Sequence, residues 1–175
     1  MTEHPRIILL TGDGKGKTTA AFGMALRAAG HGLRVCVIQF IKQSDDTGEA
    51  RALRLLPGTE LHVCGKGFVR QSDSDTLRGS HCAAAAAGLA LAREKLADAA
   101  THVVVLDELC SVPALGLLPL QPILDCLAAA APGKVIILTG RDASQALIDL
   151  ADTVSHIHAV KHPYPTLPAQ PGVEF

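Results

Sequence analysis

The amino-acid sequence predicts an α/β fold of three layers, with a mostly parallel sheet of five to six strands covered by helices on both faces. Three observations predict it. Short β-branched apolar runs recur along the chain without period-2 alternation, as strands buried on both faces do. Segments of helical spacing or composition lie between them, so strand and helix alternate. The first apolar run leads through a glycine-rich loop straight into the first helical segment.

Four runs carry the sheet: Ile7 to Leu10, Val35 to Ile38, Val103 to Leu106 and Val135 to Leu138. Two more strands are expected at Leu61 to Cys64 and at Val154 to Val160. The second of these alternates, which marks an edge strand. Helices are expected over Lys17 to Ala29, Thr47 to Leu56, Ser74 to Ala99, Pro119 to Ala130 and Ser144 to Leu150. Gly30-His31-Gly32, Pro57-Gly58 and Pro132-Gly133 punctuate their ends. With no internal repeat and no long linker, residues 1–175 read as a single domain. Residues 163–175 form an irregular arm, because Pro recurs at 163, 165, 168 and 171.

The chain has 175 residues, 48% hydrophobic and 19% charged, which excludes disorder and suits one globular unit burying about two-thirds of its surface. Sixteen Lys and Arg against 17 Asp and Glu leave a net charge of −1, so no global basic field attracts nucleic acid or a membrane surface. Any anion site must be local. No apolar run approaches the roughly 20 residues that span a bilayer, and no signal-peptide core precedes the loop, so a cytoplasmic protein is expected. Five Cys at 36, 64, 82, 110 and 126 include no C-x-x-C pair, so they read as small buried hydrophobes rather than disulfides or zinc ligands.

The loop itself is Thr11-Gly12-Asp13-Gly14-Lys15-Gly16-Lys17-Thr18-Thr19. Glycines are needed where successive backbone N–H groups turn inward around an anion at a helix N-terminus, since Cβ atoms would obstruct them. Lys17 then offers a point charge to the outer phosphates and the Thr18 hydroxyl a ligand for Mg²⁺. The match to G-x-x-x-x-G-K-[ST] is offset, with Thr11 at the first glycine position and Gly12 one residue later. Downstream, Val103-Val-Val-Leu-Asp107-Glu108 is an apolar strand ending in two carboxylates, the arrangement that sets an acid beside the metal of a phosphate loop. Spacing alone does not choose between Asp107 and Glu108. Loop and acid together place the fold among P-loop NTPases of the RecA-like type.

Further blocks extend the pattern: Ala20-Ala-Phe-Gly23, Arg27-Ala-Ala-Gly-His-Gly32, Val37-Ile-Gln-Phe-Ile-Lys42, Gly67-Phe68, Val104-Val-Leu-Asp-Glu-Leu109, Thr139-Gly-Arg141, Leu150-Ala-Asp152 and Val160-Lys-His-Pro163. In this order the sequence resembles the P-loop type of ATP:corrinoid adenosyltransferase. That resemblance implies transfer of the 5′-deoxyadenosyl group of ATP to the Co(I) centre of a corrinoid, with triphosphate released, in adenosylcobalamin biosynthesis or salvage. Co(I) is the nucleophile, so no general base is required of the protein. Its tasks are to position the substrates and to neutralise the leaving group.

The resemblance also implies roles. Gly12, Asp13, Gly14, Lys15, Gly16, Lys17, Thr18 and Thr19 would bind the triphosphate, with Arg27 and Arg141 as further ATP contacts. Lys17 and Glu108 would be the catalytic pair, and Thr18 and Glu108 would hold Mg²⁺ or Mn²⁺, with Asp107 second to Glu108. Phe68, Arg70, Gln39, Lys42, Lys161 and His162 would face the corrinoid. Its implied partners are a reductant protein such as a flavodoxin or flavin reductase and a second copy of the chain in a homodimer.

Arg70 stands where members of the family carry Trp. A charged fork in place of an aromatic plate favours base-free corrinoids such as cobinamide or cobyrinic acid diamide over cobalamin. The tail differs too: Pro165-Thr-Leu-Pro168 replaces the family's Asp-Ala-Gly segment. Two other readings compete, a non-catalytic ATP- or corrinoid-binding homologue and a small-molecule kinase.

Overall fold

A computed structural model describes residues 4–44, 46–70, 72–162 and 166–173. Six strands form one all-parallel sheet: β1 (Arg6–Thr11), β2 (Val35–Gln39), β3 (Thr59–Val63), β4 (Val103–Asp107), β5 (Val135–Thr139) and β6 (Thr153–His156). Their order is β3-β2-β4-β5-β1-β6. The loop-bearing strand β1 and the acid-bearing strand β4 are therefore separated by β5, as in RecA-like P-loop proteins.

The β-branched runs become strands because they are buried on both faces, and alternate residues feed two separate cores. Val35 and Val37 join Leu10, Ala21, Phe22, Ala25, Val105 and Ile137 on the face covered by α1 (Lys17–Gly30) and α2 (Gly48–Leu53). Cys36 and Ile38 join Phe40, Leu106, Ile136 and Leu138 on the opposite face. That face is covered by α3 (Asp75–Ala97), α5 (Leu120–Ala128) and α6 (Gln145–Leu150), together with the short α4 (Ser111–Ala114). Small residues let α3 approach closely. A Cβ on Gly88 would lie 3.0 Å from the Phe40 ring, and Ala85 and Ala92 on the same face are fully buried.

Thr47, Ser74 and Ser144 cap α2, α3 and α6, each accepting a backbone N–H from its first turn, so each helix starts where its cap side chain stands. The helix expected from Thr47 to Leu56 starts after its Thr47 cap and ends at Leu53, and turns lead from Arg54 to Pro57.

β6 is the edge strand, as expected, but it ends at His156 rather than Val160. Beyond it the chain leaves the sheet to meet the glycine loop: Ile157 N–H donates to the Thr11 carbonyl, and Gly14 N–H to the Ile157 carbonyl at 2.7 Å. The arm expected over 163–175 lies partly outside the described residues, and 166–173 carry no helix or strand. No helix among the described residues is long and apolar enough to cross a membrane.

Candidate nucleotide and corrinoid site

All six strands end on the same side of the sheet, and the glycine loop and the acid pair meet there, where open parallel sheets bind ligands. The loop from Gly12 to Gly16 leaves β1 through two left-handed glycines, Gly12 at φ 100° and Gly16 at φ 119°. A Cβ on Gly12 would lie 2.5 Å from the Ile157 carbonyl oxygen, and one on Gly14 2.7 Å from that of His158. These positions are glycine for close approach as well as for φ.

Gly12→Ala is therefore expected to destabilise the protein by about 2 to 4 kcal/mol. In this size range that lowers Tm by roughly 5 to 15 °C. Gly23→Ala, in an α1 position with nothing near its would-be Cβ, is expected to leave Tm unchanged or raised. Thermal unfolding of the two variants checks the contrast, and equal Tm values would refute it.

Lys17 opens α1 and is only 7% exposed. Its Nζ donates to the carbonyls of Gly12 at 2.6 Å and Gly14 at 2.9 Å, so it folds back across the loop. Burial pushes its ammonium below the ordinary lysine value. Glu108 opposes the shift, Arg141 adds to it, and Asp13 and Asp107 oppose it. A cation burdened in this way is relieved by an incoming anion.

The acid end of β4 is the centre of the site. Asp107, wholly buried, accepts from Thr18 Oγ1 and Thr139 Oγ1 through Oδ1, both at 2.8 Å, and from Gln39 Nε2 through Oδ2 at 2.9 Å. The Lys42 ammonium stands 4.0 Å from the same Oδ2. Four elements thus converge on one carboxylate. Gln39 Oε1 is left buried with no partner among the described residues.

Glu108 does not continue the strand. It turns into the left-handed region at φ 64°, its N–H donates to Thr139 Oγ1, and its Oε2 accepts from Ser111 Oγ at 2.9 Å. Ser111 also accepts the Arg141 N–H at 3.0 Å, which fixes the start of the exposed Arg141 loop. The sequence resemblance put Glu108 ahead of Asp107, whereas the structure sets Asp107 on the Thr18 hydroxyl. Asp13, Lys15 and Thr19 are exposed around the loop, and the Lys15 ammonium donates to the Val173 carbonyl at 2.6 Å.

Two cavities open here. One of about 300 Å³ is lined by Lys15, Thr18, Thr19, Phe22 and Glu49 with the chain at Val173. The other, about 550 Å³, lies between the segments that follow β2 and β3 and the start of α3, and includes Ile41, Lys42, Phe68, Arg70, Asp73 and His81. Lys42 and Glu49 form a 2.9 Å ion pair on the wall between them. Burial raises the Glu49 carboxyl, but hydrogen bonds from its own backbone and from Lys42 outweigh it and hold the group below the ordinary carboxylate range. Phe68 is 85% exposed at the rim of the larger cavity, an unusual position for a large apolar ring.

Several expected residues are not brought together. Arg27 is exposed in the last turn of α1, about 15 Å along the helix axis from Lys17. Gln39 is 1% exposed, lies on Asp107 and lines neither cavity. Lys161 and His162 are exposed and also line neither. Conversely, Thr139, quoted in a matching block but given no role, joins the site, as do Ser111, Glu49 and His81, which no sequence reading named. Only a strand end like that of Thr139 could have signalled one of them.

The five cysteines are free, with Cys36, Cys110 and Cys126 buried, and burial pushes the Cys36 and Cys110 thiols up to about 12. Cys36 gathers with Glu60 and His62, but Glu60 is already held by Lys95 at 2.8 Å.

A parallel sheet with a glycine loop, a buried lysine and a Thr–Asp contact across the strand ends defines a phosphate-loop nucleotide-binding protein. The family model described as ATP:corrinoid adenosyltransferase BtuR/CobO/CobP matches residues 3–175. The chain belongs to that family. It is 41% identical over 174 residues to corrinoid adenosyltransferase CobA of Salmonella typhimurium, covering 99% of this chain and 87% of the relative. It is 40% identical to the corrinoid adenosyltransferase of Escherichia coli K12, with the same coverage, and 39% identical to that of Pseudomonas aeruginosa, covering 99% and 85%.

Proposed function

We propose that the protein transfers the 5′-deoxyadenosyl group of ATP to the Co(I) centre of a corrinoid, with the nucleotide in the smaller cavity and the corrinoid in the larger. The observation that carries this reading is the shared wall. Two cavities of different character, one beside the phosphate loop and one rimmed by Phe68, meet across the Lys42–Glu49 ion pair, so two substrates can react where they adjoin.

Gly12 to Thr18 receive the triphosphate, and Lys17 exchanges its two carbonyl partners for phosphate oxygens. The Thr18 hydroxyl and Asp107 carboxylate are hard oxygen donors suited to Mg²⁺ or Mn²⁺, and the orphaned Gln39 Oε1 is an acceptor that a coordinated water would satisfy. Bound there, the ion supplies positive charge against the triphosphate. Cobalt attacks C5′, the C5′–O bond breaks, and the electron pair leaves with the triphosphate. The loop cations hold that growing charge without a proton transfer. Glu108 positions Ser111 and the Arg141 loop. Phe68 covers one side of the corrin, and Arg70 in the same cavity favours base-free corrinoids.

The chain is read as one domain that works in the cytoplasm, with Co(I) delivered by a separate reductant protein, and as a homodimer. The test is an anaerobic reaction with MgATP and chemically reduced cobinamide. Adenosylcobinamide and triphosphate in equal amounts are expected. ADP would instead identify a kinase, and no nucleotide product a binding protein.

A further inference from the structure

A cluster of metal-ligating side chains lies outside both cavities, on the two strands at one end of the sheet. Cys36 on β2 is in register with Glu60 on the terminal strand β3, and Ile38 with His62. Residues two apart on a strand share a face, so Cys36, Glu60 and His62 stand together on the side covered by α3. A thiol sulfur, a carboxylate oxygen and an imidazole nitrogen from the three all lie within 4.8 Å of one another. Cys36 is fully buried at the inner end, while the Glu60 and His62 side chains, 36% and 35% exposed, open towards solvent. None of the three lines either cavity, and Cys36 stands three residues before Gln39, about 10 Å along β2 from the acid end of the sheet.

Thiolate, imidazole and carboxylate are the donors that zinc takes, and around a tetrahedral ion they stand about 3.3 to 3.8 Å apart. Small side-chain rotations bring the observed spacing to that value. The place already draws a cation, because the Lys95 ammonium on α3 donates to both Glu60 oxygens at 2.8 and 3.0 Å. Lys95 is thus the competitor for the site, and its side chain, 17% exposed, has a way out to solvent. Burial pushes the Cys36 thiol up to about 12, so its proton stays until a metal ion takes its place. We propose that Cys36, Glu60 and His62 form a zinc-binding site with three protein ligands and one open position, separate from the metal of the phosphate loop. The Zn–S bond forms as the thiol proton leaves to solvent, and Glu60 exchanges Lys95 for the ion. Mg²⁺ and Mn²⁺ prefer all-oxygen donors and belong with Thr18 and Asp107 instead. The bound zinc ties the terminal strand β3 to β2 by side chains as well as by the backbone ladder. The site does not rest on the adenosyl-transfer reading.

The experiment titrates the full chain, under reducing conditions and without nucleotide, with Co²⁺ as a coloured stand-in for zinc and then with Zn²⁺. One equivalent of Co²⁺ is expected to raise a thiolate-to-cobalt charge-transfer band, which an equivalent of Zn²⁺ then removes. An all-oxygen site at Thr18 and Asp107 gives no such band. Cys36→Ala should abolish the band, and His62→Ala should weaken Co²⁺ binding at least tenfold. Lys95→Met should tighten it at least fivefold, an effect that binding at any of the other four cysteines would not show. His62 and Lys95 are partly exposed, so their variants decide the matter even if Cys36→Ala fails to fold. No charge-transfer band at millimolar Co²⁺ in the unmodified protein, a band that survives in Cys36→Ala, or affinities unmoved by His62→Ala or Lys95→Met would each overturn the proposal.

Discussion

Lys17→Ala is expected to lower ATP affinity roughly 100-fold, about 3 kcal/mol, and to abolish adenosyl transfer, while leaving the protein folded. The reason is the position of the ammonium: 7% exposed, donating to two loop carbonyls, with burial pressing its proton affinity down. A lysine whose folded value is depressed is a burden to the native state at neutral pH. The unfolded chain binds its proton more tightly, so stability rises as pH climbs through the depressed value towards the ordinary lysine value. Triphosphate reverses that burden, and the loss on substitution should therefore fall on binding rather than folding. Calorimetric titration with MgATP and thermal unfolding without it separate the two. Unchanged ATP affinity, or a Tm fallen by more than about 10 °C, would remove Lys17 from the role.

The second large effect is expected at Asp107. Its two oxygens accept from Thr18, Thr139 and Gln39 while it is completely buried. In Asp107→Asn one acceptor oxygen becomes a donor within a fully buried network, and disrupting such a network costs about 1 to 3 kcal/mol. Turnover should fall at least 100-fold and the Mn²⁺ requirement should rise, with Tm lowered by several degrees. Glu108→Gln should be milder, with less than a tenfold change in ATP affinity, because an amide oxygen still accepts from Ser111 Oγ. Steady-state rates at varied Mn²⁺ decide between them. If Glu108→Gln is the more damaging, the metal belongs with Glu108.

Much of this was legible because it is local. The strand runs, the glycine loop and the acid pair each depend on neighbours within about ten residues, and the structure returns all six strands at or beside their expected places. The sequence could not choose between the two acids, because the choice depends on the chain turning to φ 64° at Glu108 once β4 ends. Gln39 was expected at the corrinoid because the family resemblance runs through Val37-Ile-Gln-Phe-Ile-Lys42. Its partner is Asp107 at the end of the neighbouring strand, a contact set by the β2–β4 register. The premature end of β6 has a similar cause, since alternation from Val154 to Val160 carries no trace of the glycine loop that draws Ile157 away. His81 in a run of alanines looks like an ordinary helix residue until the Arg70–Asp73 turn folds over it.

The path of the chain after β6 bears on how the enzyme is altered. Ile157 and His158 press their backbone against Gly12 and Gly14, and the Val173 carbonyl sits on Lys15, so residues far from any nucleotide motif form one side of the glycine loop's seat. A frameshift or nonsense change near codon 157 would leave the whole glycine loop intact and still take away the surface against which it is moulded.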